Sequence, residues 1–346
     1  MSDESQIRFL PFDGRRVAFE VRGSGPPLVA PAWWVSHLEL DWQDAGVRRF
    51  WDTVAAGHTL IRYDRLGVGM SDRDVRETDL TLAGEVAVLR ALLDELGIDR
   101  AALLGGSSGS CTAAAFAAAS PQRVEHLVLY GSYARGDELT PPGVSDAIIG
   151  AVRAHWGLGS RMLSDLFLDG ADAAEHERFA RVQRESASAD TAAALLALVY
   201  RLDVRDYLPL VQSPTVVIHR RDDRAVPYRL GREVAATIPG ATFVPLPGSA
   251  HFPWHGDVDS VARACRLALS AQPDTPQTSP GEPGLLSDRE REILGCVARG
   301  LADREIAEQL VLSPHTVHRH VANIRRKLGR TSRTAAVAEA ARLGLL

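Results

Sequence analysis

Lysine is nearly missing from this chain: Lys327 is the only one in 346 residues, and arginine carries almost all the positive charge. With the abundance of alanine, that bias suggests a GC-rich genome more than a mechanism. Cysteine is scarce too. Cys111, Cys265 and Cys296 are odd in number, lie far apart and match no metal-ligand spacing, so neither a disulfide framework nor a metal site is expected and buried thiols are. No window reaches the roughly 18 consecutive apolar residues that a membrane span needs, so no membrane association is expected. The opening Met1-Ser-Asp-Glu-Ser-Gln is acidic where a secretory leader would be basic, and the expected location is the cytoplasm.

Against those absences, 45% apolar and 24% charged residues, with 29 Gly and 19 Pro, fit a folded globular protein and exclude a disordered or collagen-like chain. The length exceeds one ordinary domain of about 100–200 residues and predicts two folding units. Residues 271–283 hold four prolines in thirteen positions and no side chain able to build a core, the composition of a linker. Residues 1–283 carry 28 Lys/Arg against 37 Asp/Glu, net −9, and residues 284–346 carry 11 against 7, net +4, which together give the chain's −5. The expected division is therefore a large acidic domain over 1–270, a linker over 271–283 and a small basic domain over 284–346. Phosphate would repel the first and attract the last.

In the large segment, short apolar runs at 27–31, 59–63, 101–104, 124–130, 215–219 and 242–246 alternate with helical stretches, the pattern of a largely parallel sheet covered by helices. Residues 133–200 show no such run. Their apolar spacing is helical, which predicts an inserted helical lid.

After the run Ala-Ala-Leu-Leu comes Gly105-Gly-Ser-Ser-Gly109, then a helix of small residues from Cys111 to Ala119. A Gly-x-Ser-x-Gly between strand and helix is a nucleophile elbow, in which only glycine fits beside Ser107 and the hydroxyl is held at the helix N-terminus. Glycine- and serine-rich turns also bind phosphate or merely turn, so the partners decide. An acid and a base should follow on loops after later strands, and both do: Arg220-Arg-Asp-Asp-Arg-Ala-Val-Pro227 and Pro247-Gly-Ser-Ala-His-Phe-Pro-Trp254. On these residues, positions 6 to 270 resemble the alpha/beta-hydrolase family, whose acid loop ends in Asp-x-x-Val-Pro and whose base loop reads Gly-x-x-His-Phe. The resemblance implies a catalytic triad of Ser107, Asp223 and His251, with Asp222 as a neighbouring turn residue, and acyl transfer through a covalent ester. It also implies an oxyanion hole built from the backbone N–H groups of Ser108 and, in the loop Pro31-Ala-Trp-Trp-Val-Ser-His37, of Trp33, where most relatives carry His-Gly. Trp33, Trp34, Trp42 and Trp254 fill core or wall a pocket, with core the expectation for Trp42. Tyr63-Asp-Arg-Leu-Gly-Val-Gly-Met-Ser-Asp72 resembles a structural loop of the same family, braced by Asp64 and Arg65. No cofactor is implied. His251 and His255 stand four apart without a third ligand, so no metal is expected.

Beyond the linker, Ser287 and Glu290 form a capping box opening a helix that turns Ile293, Leu294, Val297 and Ala298 inward and stops at Gly300. A second helix from about 303 buries Ile306, Ala307 and Leu310. Ser313 and Pro314 start a third, whose Val317, Val321, Ile324 and Leu328 make one apolar stripe, leaving a basic outer face. A major groove admits such a helix. Leu286-Ser-x-Arg-Glu290, Arg304-Glu-Ile-Ala307, Ser313-Pro-x-Thr-Val317, Val321-x-Asn-Ile324 and Arg326-Lys-Leu-Gly329 resemble the helix-turn-helix domain of LuxR-type regulators. That resemblance implies double-stranded DNA as partner, with His315, Thr316, His318 and Arg319 toward base edges and nearby phosphates and Asn323, Arg326 and Lys327 on the backbone. The family usually has lysine where His315 and His318 stand. It also implies a fourth helix, about 334–343, pairing two domains into a homodimer on DNA; its Ala335, Ala338 and Ala341 would serve that pairing or pack on their own domain.

The fold class expected is thus α/β, an alpha/beta-hydrolase fold with a helical lid, followed by a small all-α helix-turn-helix domain. The function expected is a DNA-binding transcriptional regulator whose hydrolase-fold domain takes a small ester- or lactone-like ligand. The alternative is an active serine esterase with an accessory DNA-binding module, and an interaction domain built on a dead hydrolase stands behind both.

Overall fold

A computed structural model describes residues 7–270, 286, 288–310, 314–330, 332–343 and 345. The chain divides into two compact units, residues 1–271 and 272–346. The first holds an eight-stranded sheet made of β1 (Ile7–Phe12), β2 (Arg15–Gly23), β3 (Pro27–Ala30), β4 (Thr59–Tyr63), β5 (Ala101–Gly106), β6 (Val124–Tyr130), β7 (Thr215–Arg220) and β8 (Thr242–Leu246). Their order across the sheet is β1-β2-β4-β3-β5-β6-β7-β8. The strands from β4 to β8 run parallel, and the antiparallel β1–β2 pair joins the sheet through β4.

All six apolar runs form strands, because a parallel strand covered on both faces must be apolar on both. Every residue of β5 is buried. The first two strands were not anticipated. They form an edge hairpin turned at Asp13-Gly14, both with positive φ (49° and 76°), as a tight two-residue turn requires.

Around the sheet lie α1 (Leu38–Asp41), α2 (Ala45–Val54), α3 (Leu82–Glu95), α4 (Ser108–Ala119), four helices inserted between β6 and β7, then α9 (Tyr228–Thr237) and α10 (Val258–Ser270). The inserted helices are α5 (Val144–Ala154), α6 (Trp156–Phe167), α7 (Ala173–Ser186) and α8 (Ala189–Arg201). Helix α4 is almost entirely buried, and its run of Ala, Ser and Gly lets it lie close to β5. His155 caps α6 by accepting the Leu158 N–H at 3.0 Å, and so separates α5 from α6.

The second unit is four helices, α11 (Asp288–Ala298), α12 (Asp303–Leu310), α13 (Pro314–Lys327) and α14 (Arg333–Arg342). Val317, Val321, Ile324 and Leu328 are buried together against Leu286, Ile293, Leu294, Ile306 and Ala307, as their spacing demanded. Ala298 is exposed, correcting its inward assignment, and Cys296 takes the inner position. On α14 the buried residues are Ala336 and Ala340, while Ala335 is half-buried and Ala338 and Ala341 are exposed. The linker 271–283 and the caps Ser287 and Ser313 lie outside the described residues. No helix among the described residues is long and apolar enough to cross a membrane. The three cysteines are free and buried, and burial pushes the Cys111 and Cys265 thiols up to about 12.

Candidate active site and nucleic-acid interface

At the junction of β5 and α4 the backbone of Ser107 adopts φ 50°, ψ −127°, a left-handed conformation that costs a non-glycine residue on the order of 1–3 kcal/mol. The flanking glycines explain how the turn is possible. A Cβ at Gly105 would lie 2.7 Å from the Gly109 carbonyl oxygen, and one at Gly109 would lie 2.9 Å from the carbonyl oxygens of Pro31 and Ala32. The strained turn is anchored by the Ser107 N–H, which donates to the Tyr130 carbonyl at the end of β6 at 2.9 Å.

The next residue after Tyr130 ties this serine to the other two predicted positions. Gly131 (φ 54°) lies against the imidazole of His251 and the carboxylate of Asp223, so that a Cβ there would be 3.1 Å from His251 Cε1 and 3.6 Å from Asp223 Oδ2. His251 Nδ1 is 2.8 Å from Asp223 Oδ2, and both side chains are buried. The other carboxylate oxygen, Oδ1, accepts the N–H groups of Ala225 (2.9 Å) and Val226 (3.0 Å). Burial pushes the Asp223 carboxyl up, but His251, His219 and the Val226 N–H together outweigh it and hold the group below the usual carboxylate range. Asp222 is exposed and does not pair with His251.

The loop after β3 approaches the same helix end. Ser108 Oγ donates to the Trp33 carbonyl, and Arg65 donates to the carbonyls of Ala32 (2.7 Å) and Trp33 (2.6 Å). Among the described residues the backbone N–H groups of Trp33 and Ser108 have no acceptor, which leaves both available to an anionic oxygen. Asp64, fully buried, accepts Ser36 Oγ (2.6 Å), the Leu38 N–H (3.2 Å) and the Met70 N–H (2.9 Å), so the loop read as structural is braced by the two residues expected to do so. Trp42 is only half-buried: it donates to Glu20 and lies under the Arg22 guanidinium, 3.9 Å from its ring centroid.

Two residues of this site were missed by sequence reasoning. One is Gly131. The other is Arg220 at the end of β7, 1% exposed, which donates to the carbonyls of Ala250 (2.7 Å), Phe252 (3.0 Å), His255 (2.6 Å) and Asp257 (3.2 Å) and so pins the loop that carries His251. An arginine closing a predicted central strand was the available signal, since a guanidinium is seldom buried without a purpose.

Beside the site lies a cavity of about 630 Å³ between the loop after β3, the start of α2, the end of β4 and the inserted helix α7. Its wall includes Trp33, Trp51, Phe179, Phe252, Trp254 and His255.

In the smaller unit, His318 is exposed with Nδ1 3.3 Å from Asp303 Oδ2, and Arg333 from α14 also binds Asp303. Lys327 Nζ is 2.7 Å from Glu290, which ties α13 to α11. The side chains of His315, Thr316, Arg319, Asn323 and Arg326 lie outside the described residues. Their helix, α13, presents its apolar stripe to the core of the unit.

Comparison with known proteins agrees with both halves. Residues 45–255, well over half of the chain, match the alpha/beta hydrolase fold family, and residues 284–340 match the LuxR family of bacterial regulatory proteins. A 2-hydroxy-6-oxononadienedioate/2-hydroxy-6-oxononatrienedioate hydrolase of Cupriavidus pinatubonensis is 33% identical over 198 residues, 54% of this chain and 68% of that one. A 2-hydroxy-6-oxo-6-phenylhexa-2,4-dienoate hydrolase of Burkholderia cepacia is 30% identical over 208 residues, 58% of this chain and 72% of that one. The crystal structure of a hydrolase from Pseudomonas aeruginosa superposes with a TM-score of 0.64 at 27% identity, covering 77% of this chain and 98% of that one. The chain belongs to the alpha/beta hydrolase fold family. Its C-terminal unit is a LuxR-type DNA-binding domain.

Proposed function

We propose that this protein is a transcriptional regulator: the LuxR-type domain binds an operator, and the hydrolase-fold domain takes a small ester- or lactone-like molecule that biases that binding. The observation that carries the reading is the presence, in one chain, of a LuxR-type domain and of a strained serine turn beside an oriented His251–Asp223 pair. A domain that reads duplex sequence has little use outside gene control, whereas hydrolase folds serve as receptors as well as enzymes.

The site is also equipped for turnover. Ser107 Oγ attacks the ligand's carbonyl carbon while His251 takes the hydroxyl proton, and Asp223 holds the imidazole with Nδ1–H toward the carboxylate. The Trp33 and Ser108 N–H groups bind the anionic oxygen of the tetrahedral intermediate. Collapse expels the alkoxide, which takes the proton from His251, and leaves an acyl ester on Ser107; for a lactone both products remain one opened chain. Water, deprotonated by His251, then releases the acid. A regulator with this chemistry destroys its own signal and resets. The esterase reading of the whole chain draws on the same His251–Asp223 pair.

On DNA, His315, Thr316, His318 and Arg319 face bases and nearby phosphates, and Asn323, Arg326 and Lys327 the backbone. Dimerisation through α14 is supported by its outward Ala338 and Ala341, since the small residues that pack on its own unit are Ala336 and Ala340.

The test is selection from a randomised duplex pool by the full chain, before and after a fluorophosphonate has reacted with Ser107. The expected result is one enriched sequence whose affinity changes by about threefold or more on modification. No enriched sequence would remove the regulator role, and enrichment indifferent to the pocket's state or to added ester would remove the gating.

A further inference from the structure

The cavity of about 630 Å³ falls within the roughly 300–1,000 Å³ of small-molecule sites, yet Ser107, Asp223 and His251 are all absent from its wall. A partition of stacked rings separates it from them. The Trp33 indole lies over the nucleophile turn, so close that a Cβ on Gly106 would be 2.5 Å from it. Trp33 stacks on Trp254 at 5.1 Å, Trp254 stacks on Phe252 at 5.1 Å, and Phe252 lies 5.4 Å from the His251 ring. All three residues also line the cavity.

The polar groups on the wall are not equally free. Asp44 accepts the N–H groups of Gly46 (2.7 Å) and Val47 (3.1 Å) as the cap of α2. Glu175 accepts the Asp172 N–H at 2.9 Å. Asp41 is bound to Arg62, and burial pushes its carboxyl up to about 6 against the pull of that arginine. Arg181 pairs with Glu185 at 3.7 Å. Two groups remain. Arg178, exposed on α7, has no hydrogen-bond or carboxylate partner among the described residues, and His255, only 9% exposed, has none for its ring. An aromatic box with a free guanidinium at one side matches a flat apolar acid, whose ring the indoles stack on and whose carboxylate the guanidinium forks.

We infer that this cavity is a second ligand site, separate from the serine, which binds an aromatic or conjugated carboxylate between the Trp33–Trp254–Phe252 partition and Arg178, without turnover. The wall formed by α7 gives such a ligand a means of acting. Gln183 on the same helix accepts Trp34 Nε1 at 3.0 Å and donates to the Ser160 carbonyl on α6 at 2.9 Å, so occupancy would bear on the packing of the inserted helices against the sheet. That last step rests on the regulatory reading above, whereas the binding does not.

The experiment titrates trans-cinnamate, and cinnamamide as its neutral isostere, against tryptophan fluorescence of the full chain. It uses wild-type protein, wild type modified by a fluorophosphonate at Ser107, and the variants Ser107→Ala, Arg178→Ala and Trp254→Leu, with circular dichroism melting to show that each is folded. Saturable cinnamate binding is expected, unchanged within about twofold by Ser107→Ala or by the modification. Binding should weaken about tenfold in Arg178→Ala, the worth of one charge-assisted hydrogen-bonding contact, while cinnamamide binding is unaffected. A folded Trp254→Leu should lose both probes. No saturable binding at millimolar cinnamate, equal binding of acid and amide, indifference to Arg178→Ala, or blockade by the Ser107 adduct would each overturn the proposal. Cinnamate binding that leaves duplex affinity unchanged would uphold the site and remove only its regulatory use.

Discussion

The two units keep their functional groups in opposite ways. In the larger one, His251 and Asp223 are buried and multiply bonded, and both terminal nitrogens of Arg220 donate to carbonyls of the loop that carries His251. In the smaller one, the predicted DNA contacts Lys327 and His318 are exposed and engaged by neighbouring helices, Lys327 by Glu290 and His318 by Asp303. Bond-making chemistry needs groups fixed before the substrate arrives, because every freedom left to them is lost in the transition state. A polyanion is met by charge that can adjust to it and exchange one partner for another.

That contrast sets the order of the expected effects. Ser107→Ala should lower hydrolysis of a short-chain nitrophenyl ester by on the order of 10⁴-fold or more while leaving duplex affinity intact; residual turnover near wild type would show that the strained serine is not the nucleophile. Arg220→Met should leave several buried carbonyls unpaired and destabilise the larger unit by about 3 kcal/mol, read as a fall in its denaturant midpoint. Melting of the smaller unit should not move with it. Gly131→Ala puts a methyl against His251 at a positive φ. It should cost about 1 kcal/mol of stability and a larger share of turnover, visible as kcat falling with KM unchanged. Arg326→Ala should weaken operator binding about tenfold and reduce the steepness of its salt dependence by about one ion. Lys327→Ala should weaken binding in the same way but also lower the smaller unit's stability by less than about 1 kcal/mol, because the ion pair with Glu290 goes too. Melting of the Lys327→Ala variant equal to that of the wild type would mean that the pair contributes nothing.

Much of this was legible because the signals are local. The central strands are unbroken apolar runs, and the third C-terminal helix writes its buried stripe as Val317, Val321, Ile324 and Leu328. The hairpin of β1 and β2 was not seen, although Asp13-Gly14 is a turn signal, because an edge pair exposes one side and mixes its apolar residues with arginine and glutamate. Ser107, Asp223 and His251 could be picked out by order and neighbours. Gly131 could not, since it matters through what approaches it from another part of the chain, and Arg220 left only the sign of an arginine at a strand end. Ala298 was misassigned because helical periodicity alone does not say where the inward stripe ends.

From the residues alone came the two-part organisation, six of the eight strands, the serine turn and the apolar stripe of α13, because composition and short-range pattern act within a turn or a strand. Only the tertiary structure decided that Gly131 lies against the imidazole and carboxylate, that Arg220 gathers four carbonyls, and that Trp33, Trp254 and Phe252 stack beside the nucleophile turn. Those depend on distances between residues tens to hundreds of positions apart, which close packing fixes and no local pattern records.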